Sequence, residues 1–243
     1  MSLVMYERLG HDDRRPSPFS WRIRYALAHK GVPVEFRPVR FADVMTIRTL
    51  SGQHMVPILC EGDQVIHDSW NIACYLEDRF PDHPSLFGGV AGRGLARLAN
   101  HWSDTVLGPA VRRLISADFI LCLAPEDHDY FRHSREAAFG CTLEEFCADR
   151  PRWVGEFAAV VDPLERTLAE QSYFGGLAPT YADYLLFSVF QYARLGCPDE
   201  FLAEGTALRR WRDGLALAFD GLGNRYPAYP LARISHSPAV CRV

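Results

Sequence analysis

Hydrophobic and polar residues change their spacing several times in the first third of the chain. Residues 4–9 have the mixed pattern of a short strand, and from Pro18 the apolar positions repeat with helical spacing as far as Gly31, a residue type that commonly ends helices. Five further elements are predicted, in the order strand, helix, strand, strand and helix: residues 32–39, 43–50, 55–60, 65–69 and 70–80. The first part of the chain is therefore predicted to form a small mixed sheet with helices packed on it.

The strand pattern disappears after a short segment rich in proline and glycine. From there on the apolar spacing predicts helices, the first of them interrupted near Gly108-Pro109: residues 95–123, 127–150, 153–171, 180–195 and 206–219. We therefore predict an α/β domain over residues 1–82 and an all-helical domain over 93–243, joined by a linker over 83–92. The proline-containing tail from Asn224 is predicted to be extended.

Composition narrows the class of protein. The chain has 243 residues, a formal net charge of -4 and no basic patch, which argues against a nucleic-acid or membrane-surface protein. Its 7 cysteines are scattered without a CxxC pair, so we expect free thiols, a reducing cytoplasmic setting and no metal site. The start of the chain lacks the pattern of a signal peptide, and the apolar stretches are too short to span a bilayer.

The start of the first predicted helix raises the question of what Ser17 does. A serine before Pro18 is a common helix N-cap, and that role alone explains its presence. A helix N-terminus with a hydroxyl also favours an anion, and a thiol with an ordinary pKa of about 8.5 would be shifted toward its thiolate there. The protein offers no cysteine at this position, so such a thiol would arrive with a ligand.

Two other positions suit the same ligand. A cis bond between Val56 and Pro57 would turn the Val56 backbone outward, where it could pair with a peptide, although most X-Pro bonds are trans. Ser69 is either the N-cap of the helix over 70–80 or, with the free backbone N–H groups there, a site for a carboxylate. In the second case Asp68 would face an ammonium group. A thiol, a peptide bond, a carboxylate and an amine occur together in glutathione.

These residues resemble the motifs of the glutathione S-transferase superfamily. The segment SPFSWR from Ser17 resembles the active-site motif, Val56-Pro57 the cis-proline position and Asp68-Ser69 the γ-glutamyl position of that family. The segment PTYADY over 179–184 is similar to the capping box of the family's helical domain. The resemblance covers essentially the whole chain and implies a thioredoxin-like N-terminal domain followed by an all-helical C-terminal domain.

Two subgroups of the superfamily are similar to this chain. The pattern SxxSWRxRxAL resembles the zeta class, which includes maleylacetoacetate isomerases, although Ser17-Pro18-Phe19 departs from the zeta Ser-Ser-Cys pattern. The resemblance to the bacterial β-aryl etherase-like group is broader and covers the long loop before Ser17 and three further stretches: residues 68–89, 129–146 and 173–187. Activity within a subgroup does not follow from either resemblance.

The superfamily resemblance implies a homodimeric glutathione transferase in which Ser17 stabilises the thiolate and glutathione is bound by Val56, Pro57, Asp68 and Ser69. The thiolate would attack a hydrophobic electrophile, with an aryl ether as one candidate. The alternatives are a glutathione-dependent cis-trans isomerase of the maleylacetoacetate type and a non-catalytic protein that binds glutathione or hydrophobic ligands.

Two further side chains are candidates for glutathione binding. Ser20, one turn after Ser17, is either a second hydroxyl donor or an ordinary helix serine. His54 would either meet the glycyl carboxylate or lie in solvent as a loop residue. Four aromatic residues are candidates for the electrophile site, although helix core is the more common role for each: Trp102, Phe119, Tyr184 and Tyr192.

Overall fold

The computed structural model describes residues 2–229 and 232–233, and its first domain is built on a four-stranded sheet. The strands are β1 (Leu3–Arg8), β2 (Val34–Val39), β3 (Ile58–Glu61) and β4 (Gln64–His67). Their order across the sheet is β2-β1-β3-β4, with β1 and β2 parallel and the other neighbours antiparallel.

Three helices complete this domain: α1 (Pro18–Lys30), α2 (Val44–Ser51) and α3 (Ser69–Arg79). The first of them ends at Gly31, whose φ of 65° a residue without a Cβ adopts freely. Ile47 of α2 packs with Val39 and Ile58 in a small core that is separate from the main one. The predicted element order and thioredoxin-like architecture are therefore confirmed.

The described part of the second domain is mainly helical: α4 (Val90–Trp102), α5 (Gly108–Phe119), α6 (His128–Phe139), α7 (Leu143–Cys147), α8 (Arg150–Glu170), α9 (Tyr181–Gly196) and α10 (Ala207–Gly221). A π turn over Ser103–Leu107 joins α4 to α5, so the interruption lies just before the predicted Gly108-Pro109. There the Gly108 N–H donates to the carbonyl of Ser103, five residues back, and the helix continues through Pro109. Within the described chain, none of these helices combines the length and the apolar character that spanning a bilayer requires.

The helical domain contains two details that the hydrophobic pattern did not predict. The stretch 127–150 breaks at Gly140, whose φ is 73°, and α7 begins after Thr142 as a new cap. A short β5 (Asp199–Glu200) pairs in parallel with β6 (Ala232–Arg233). The second strand falls in the tail predicted to be extended, most of which lies outside the described residues.

The predicted capping box lies at the start of α9. Thr180 is the N-cap, and Asp183 accepts its backbone N–H at 2.9 Å. The same carboxylate accepts the N–H groups of Phe174 (2.9 Å) and Gly175 (3.1 Å) and the indole N–H of Trp211 (2.9 Å). Burial raises the pKa of Asp183, and these hydrogen bonds oppose the rise. The box therefore fixes the loop before α9 as well as the helix itself.

The two domains share one hydrophobic core where α1 contacts α9. Tyr25 of α1 is fully buried there, and its hydroxyl donates to the carbonyl of Leu215 at 2.9 Å. The Tyr25 ring lies 4.8 Å from the ring of Phe187 and 5.4 Å from that of Tyr184. The helix that begins at Ser17 is therefore held from both sides, by the sheet and by the helical domain.

Candidate active site

The register of the sheet brings the predicted ligand positions to one edge. Ile58, the first residue of β3, pairs with β1 on one side and with β4 on the other. Pro57 therefore lies beside the end of β1, and Asp68, which follows β4, lies beside Pro57. The loop that leaves the same end of β1 leads directly to Ser17. Three segments that are distant in sequence thus meet at one edge.

Ser17 is buried and caps α1. Its Oγ accepts the backbone N–H of Ser20 at 3.2 Å, so the capping interpretation is confirmed. A hydroxyl has two acceptor lone pairs and one proton, and the cap uses only a lone pair. No described residue accepts the Ser17 hydroxyl proton, so capping and donation to a ligand sulfur are compatible.

Buried charges fix the loop between β1 and α1, which ends at Ser17. Glu7 of β1 is fully buried and accepts hydrogen bonds from Arg15 Nε (2.9 Å) and Arg24 Nε (2.6 Å). The indole N–H of Trp21 donates to the carbonyl of Arg15 at 2.7 Å. Because a buried carboxylate is costly unless it is paired, this arrangement ties the loop before Ser17 to both the sheet and α1.

Ser20 is buried in the first turn of α1, and its Oγ has no hydrogen-bond partner among the described residues. A buried hydroxyl without a partner loses the hydrogen bonds it had with water, so it calls for an explanation. Donation to a ligand is one explanation, and Ser20 stays a candidate second donor.

The loop before β3 presents backbone groups at the sheet edge. The bond between Val56 and Pro57 is cis, and no described backbone group pairs with the N–H or carbonyl of Val56. Gln53 fixes the loop, because its side-chain amide donates to the Met55 carbonyl (2.7 Å) and accepts the Met55 N–H. An extended peptide can add to such an edge.

Asp68, not Ser69, is the N-cap of α3. Its Oδ1 accepts the N–H groups of Trp70 (3.0 Å) and Asn71 (3.1 Å), so the interpretation of Ser69 as the cap is wrong. Asp68 has a φ of 71°, which is rare for a residue with a side chain and is common at ligand-binding sites. Ser69 is the first helical residue, and its carbonyl accepts the Tyr181 hydroxyl at 3.0 Å.

His54 is exposed, and its imidazole has no partner among the described residues. Its carbonyl accepts Arg8 Nη2 at 2.9 Å, and Arg8 Nη1 donates to the carbonyl of Arg40 at 2.7 Å. Arg8 therefore joins the loop after β2 to the loop before β3, and its burial lowers its pKa. The sequence pattern did not single out Arg8, because a charged residue at a strand end is ordinarily exposed.

The helical domain reaches the site through Arg22, which is buried in α1. Its guanidinium donates to four side chains of the second domain: Asp104 (2.6 Å), Ser103 (3.2 Å), Ser188 (3.3 Å) and Asn100 (3.4 Å). The ring of Phe19 lies 4.7 Å from Arg22 Cζ and is 40% exposed. An open aromatic surface therefore lies two residues after Ser17. The sequence showed Arg22 only as part of the SPFSWR motif.

The four aromatic candidates divide between fully buried and half-buried positions of the main core. Phe119 and Tyr184 are buried in the core, as expected for helix residues, and the Tyr184 hydroxyl lies 2.7 Å from His29 Nδ1. Trp102 and Tyr192 are half-buried and pack against the same core.

Comparison with known proteins relates both domains to one family. The family model described as glutathione S-transferase, N-terminal domain, matches residues 16–79. The model described as glutathione S-transferase, C-terminal domain, matches residues 94–219.

Several curated relatives match about a third of the chain. A glutathione S-transferase from Triticum aestivum is 35% identical over 79 residues, which cover 32% of this chain and 37% of that protein. A zeta class glutathione S-transferase from Euphorbia esula is 39% identical over 74 residues, covering 29% and 33%. The match thus spans about a third of the length of these relatives.

Solved structures match over most of the chain. Glutathione transferase GSTFuA2 from Phanerochaete chrysosporium is 26% identical with a TM-score of 0.71, covering 91% of this chain and 93% of that one. A glutathione S-transferase of Ceriporiopsis subvermispora, solved in complex with glutathione, shares the fold with a TM-score of 0.75 at 21% identity, covering 93% and 99%. The chain belongs to the glutathione S-transferase family.

Proposed function

We propose that the protein is a glutathione transferase that activates the glutathione thiol for attack on an electrophile. One observation carries the proposal: the sheet edge that bears the Ser17 hydroxyl also bears the unpaired backbone of Val56 and the strained cap Asp68. These groups match a thiol, a peptide bond and a γ-glutamyl group in that order. Membership of the family and the glutathione complex of the Ceriporiopsis relative support the choice of glutathione.

The thiolate would form beside Ser17. The ordinary pKa of a thiol is about 8.5, so most of it is protonated at neutral pH. A hydrogen bond from the Ser17 hydroxyl and the N-terminal end of α1 both stabilise the anion, which lowers the thiol pKa. The ionised sulfur then attacks a carbon, the S–C bond forms, and the leaving group departs with its electron pair.

The pKa of the bound thiol tests this role. In Ser17→Ala the loss of one hydrogen bond to a charged group should raise it by about one to two pH units and slow turnover at neutral pH about tenfold or more. Ser17→Thr keeps the hydroxyl and should retain most of the activity. The ultraviolet absorbance of the thiolate, titrated in the glutathione complex, gives the pKa directly.

A matched control separates the two serines. Ser20→Ala removes the neighbouring hydroxyl without removing the cap of α1. If Ser17 is the donor, this variant should titrate close to the unmodified protein. An unchanged thiolate titration in Ser17→Ala would exclude the role of Ser17, and a large change in Ser20→Ala would assign the role to Ser20 instead.

For the electrophile we propose an aryl ether, from which a phenolate leaves. The support is the resemblance of residues 68–89, 129–146 and 173–187 to the β-aryl etherase-like group. A phenol has an ordinary pKa of about 10, so its anion leaves without a strong acid. Release of a fluorescent phenol from a model aryl ether, compared with isomerisation of a cis dienoate, distinguishes this proposal from the isomerase alternative.

We also propose a homodimer formed through α4. Three apolar side chains of this helix are largely exposed: Val90 (93%), Leu95 (68%) and Leu98 (68%). Leu95 and Leu98 lie three residues apart and share one face, and such a face is a common interface between subunits. Light scattering should give twice the monomer mass, and Leu98→Glu should reduce it to the monomer. A monomeric unmodified protein would contradict the proposal.

A further inference from the structure

Three arginines come from different elements of the two domains: Arg8 at the end of β1, Arg112 in α5 and Arg135 in α6. We call them the arginine cluster. Arg8 is buried and bonded to two carbonyls. Arg112 and Arg135 are half-buried, and neither guanidinium has an ion pair or hydrogen bond with any residue in the described ranges. Their donors are therefore free to bind a ligand.

Aromatic rings hold the arginine cluster together. Arg8 Cζ lies 5.2 Å from the centre of the Phe41 ring, and that ring lies 5.9 Å from the ring of Phe131. Arg135 Cζ lies 5.3 Å from the same Phe131 ring. Phe131 stacks at 5.3 Å on Phe119 of α5, the helix that carries the third arginine. The cluster is thus built from both domains.

The positive charges of the cluster act on one another. Burial lowers the pKa of Arg8 and of Arg112, and the charge of Arg135 lowers both further. Like charges held together in a partly dry site cost stability, and such arrangements concentrate at functional sites. An anion bound between them would relieve the repulsion.

The carboxylates near the cluster have partners of their own. Asp104 bonds to Arg22 at 2.6 Å. Asp127 accepts the N–H of Ala42 at 2.8 Å through one oxygen; its other oxygen forms an ion pair with Arg40 (3.8 Å to Nε) but no hydrogen bond. These carboxylates therefore do not pair with Arg112 or Arg135, whose charges can pair with a bound anion.

Arg8 connects the cluster to the proposed glutathione site, and Arg112 lies near the residue that contacts α1. Arg8 bonds to the carbonyl of His54, in the loop that precedes the cis-proline. A Cβ built on Gly108 would lie 3.4 Å from Arg112 Nη1, so the guanidinium of Arg112 extends back along α5. One turn further in that direction lies Asp104, the residue that contacts α1.

We propose that the second substrate is an organic anion, an electrophile whose carboxylate is held by Arg112 and Arg135 while its reacting carbon faces the sulfur beside Ser17. This inference rests on the proposed function. The planar guanidinium matches a carboxylate, and the exposed ring of Phe19 suits an aromatic body. In the reaction the S–C bond forms, the bond to the leaving group breaks with its electron pair on that group, and the carboxylate is unchanged.

Paired probes test the inference. Chlorodinitrobenzene is neutral and chlorodinitrobenzoate carries a carboxylate, and both release chloride when the glutathione thiolate displaces it. In Arg112→Gln and Arg135→Gln we expect kcat/KM for the benzoate to fall about 10- to 100-fold, mostly through a higher KM. The reason is that each variant loses one charge-assisted hydrogen bond to the carboxylate. For the neutral probe we expect kcat/KM to change by less than about threefold, because this probe has no carboxylate for the arginines to bind.

Two further variants act as controls. Arg112→Lys keeps the charge and should recover part of the lost activity toward the benzoate, which a purely structural role would not produce. Arg166→Gln removes an arginine that is 78% exposed on α8 and should change neither probe. Equal losses on both probes, or no loss on the benzoate, would overturn the anionic subsite. An unmodified protein that conjugates neither probe would overturn the proposed function instead.

Discussion

Removing the charge of Asp104 should cost more stability than removing its partner Arg22. The Arg22 side chain is 2% exposed and that of Asp104 is 33% exposed. In Asp104→Asn the buried cation keeps only neutral partners, and breaking a buried pair in this way costs about 3 kcal/mol, the lower end of the usual range because the amide oxygen still accepts a hydrogen bond. In Arg22→Met the carboxylate regains water and the new side chain fills much of the space, so we expect about 1–2 kcal/mol.

Urea unfolding measures this difference. Tryptophan fluorescence and far-ultraviolet circular dichroism should give coincident curves, which justifies comparing free energies of unfolding between the variants. Arg166→Met provides the control, because its ion pair with Asp162 is exposed and should be worth less than about 0.5 kcal/mol. Equal losses for Asp104→Asn and Arg22→Met, or a loss below about 1 kcal/mol for Asp104→Asn, would refute the argument from burial.

Two further predictions concern pH and packing. Burial lowers the pKa of His29, so the unfolded chain binds this proton more readily, and stability should decline as the pH falls below the ordinary pKa of about 6.5. His29→Gln should reduce the fall of Tm below about pH 6.5. The exposed control His133→Gln should show the same fall as the unmodified protein. An unchanged fall of Tm in His29→Gln would contradict the role of His29. In Gly10→Ala the new Cβ would lie 2.5 Å from the backbone oxygen of Cys122, so the loop before Ser17 must move and turnover should fall several-fold, whereas Gly214→Ala meets open space. Equal turnover in the two glycine variants would show that the loop adapts freely.

Local signals were sufficient to predict the first domain. Ser17 and Pro18 mark the start of α1, Gly31 its end, and Pro81 lies just beyond the end of α3. Each acts within a few residues of the chain, so a single sequence reveals it. The same signals placed Ser17, Val56 and Asp68 in one small domain, whereas the strand order that brings their loops together came from the structure.

Contacts between distant residues were not predictable in the same way. Arg112 and Arg135 lie on different helices, and in the sequence each is one charged position on an amphipathic face. The choice of Asp68 over Ser69 as the cap was equally hidden, because both residue types cap helices and only the backbone conformation decides. The substrate-facing side of a two-domain site depends on how the domains dock, which local pattern does not specify.

The Tyr181 hydroxyl belongs to the second domain, yet it holds the carbonyl of Ser69 in the first. Together with the buried Tyr25, this bond means that the molecule cannot be divided into a binding half and a supporting half. A gene fragment that ended at the linker would encode the first domain without the helices that cover the apolar face of α1. It would also lack the hydrogen bond to the carbonyl of Ser69. A protein that contained the first domain alone would need another apolar surface to pack against α1.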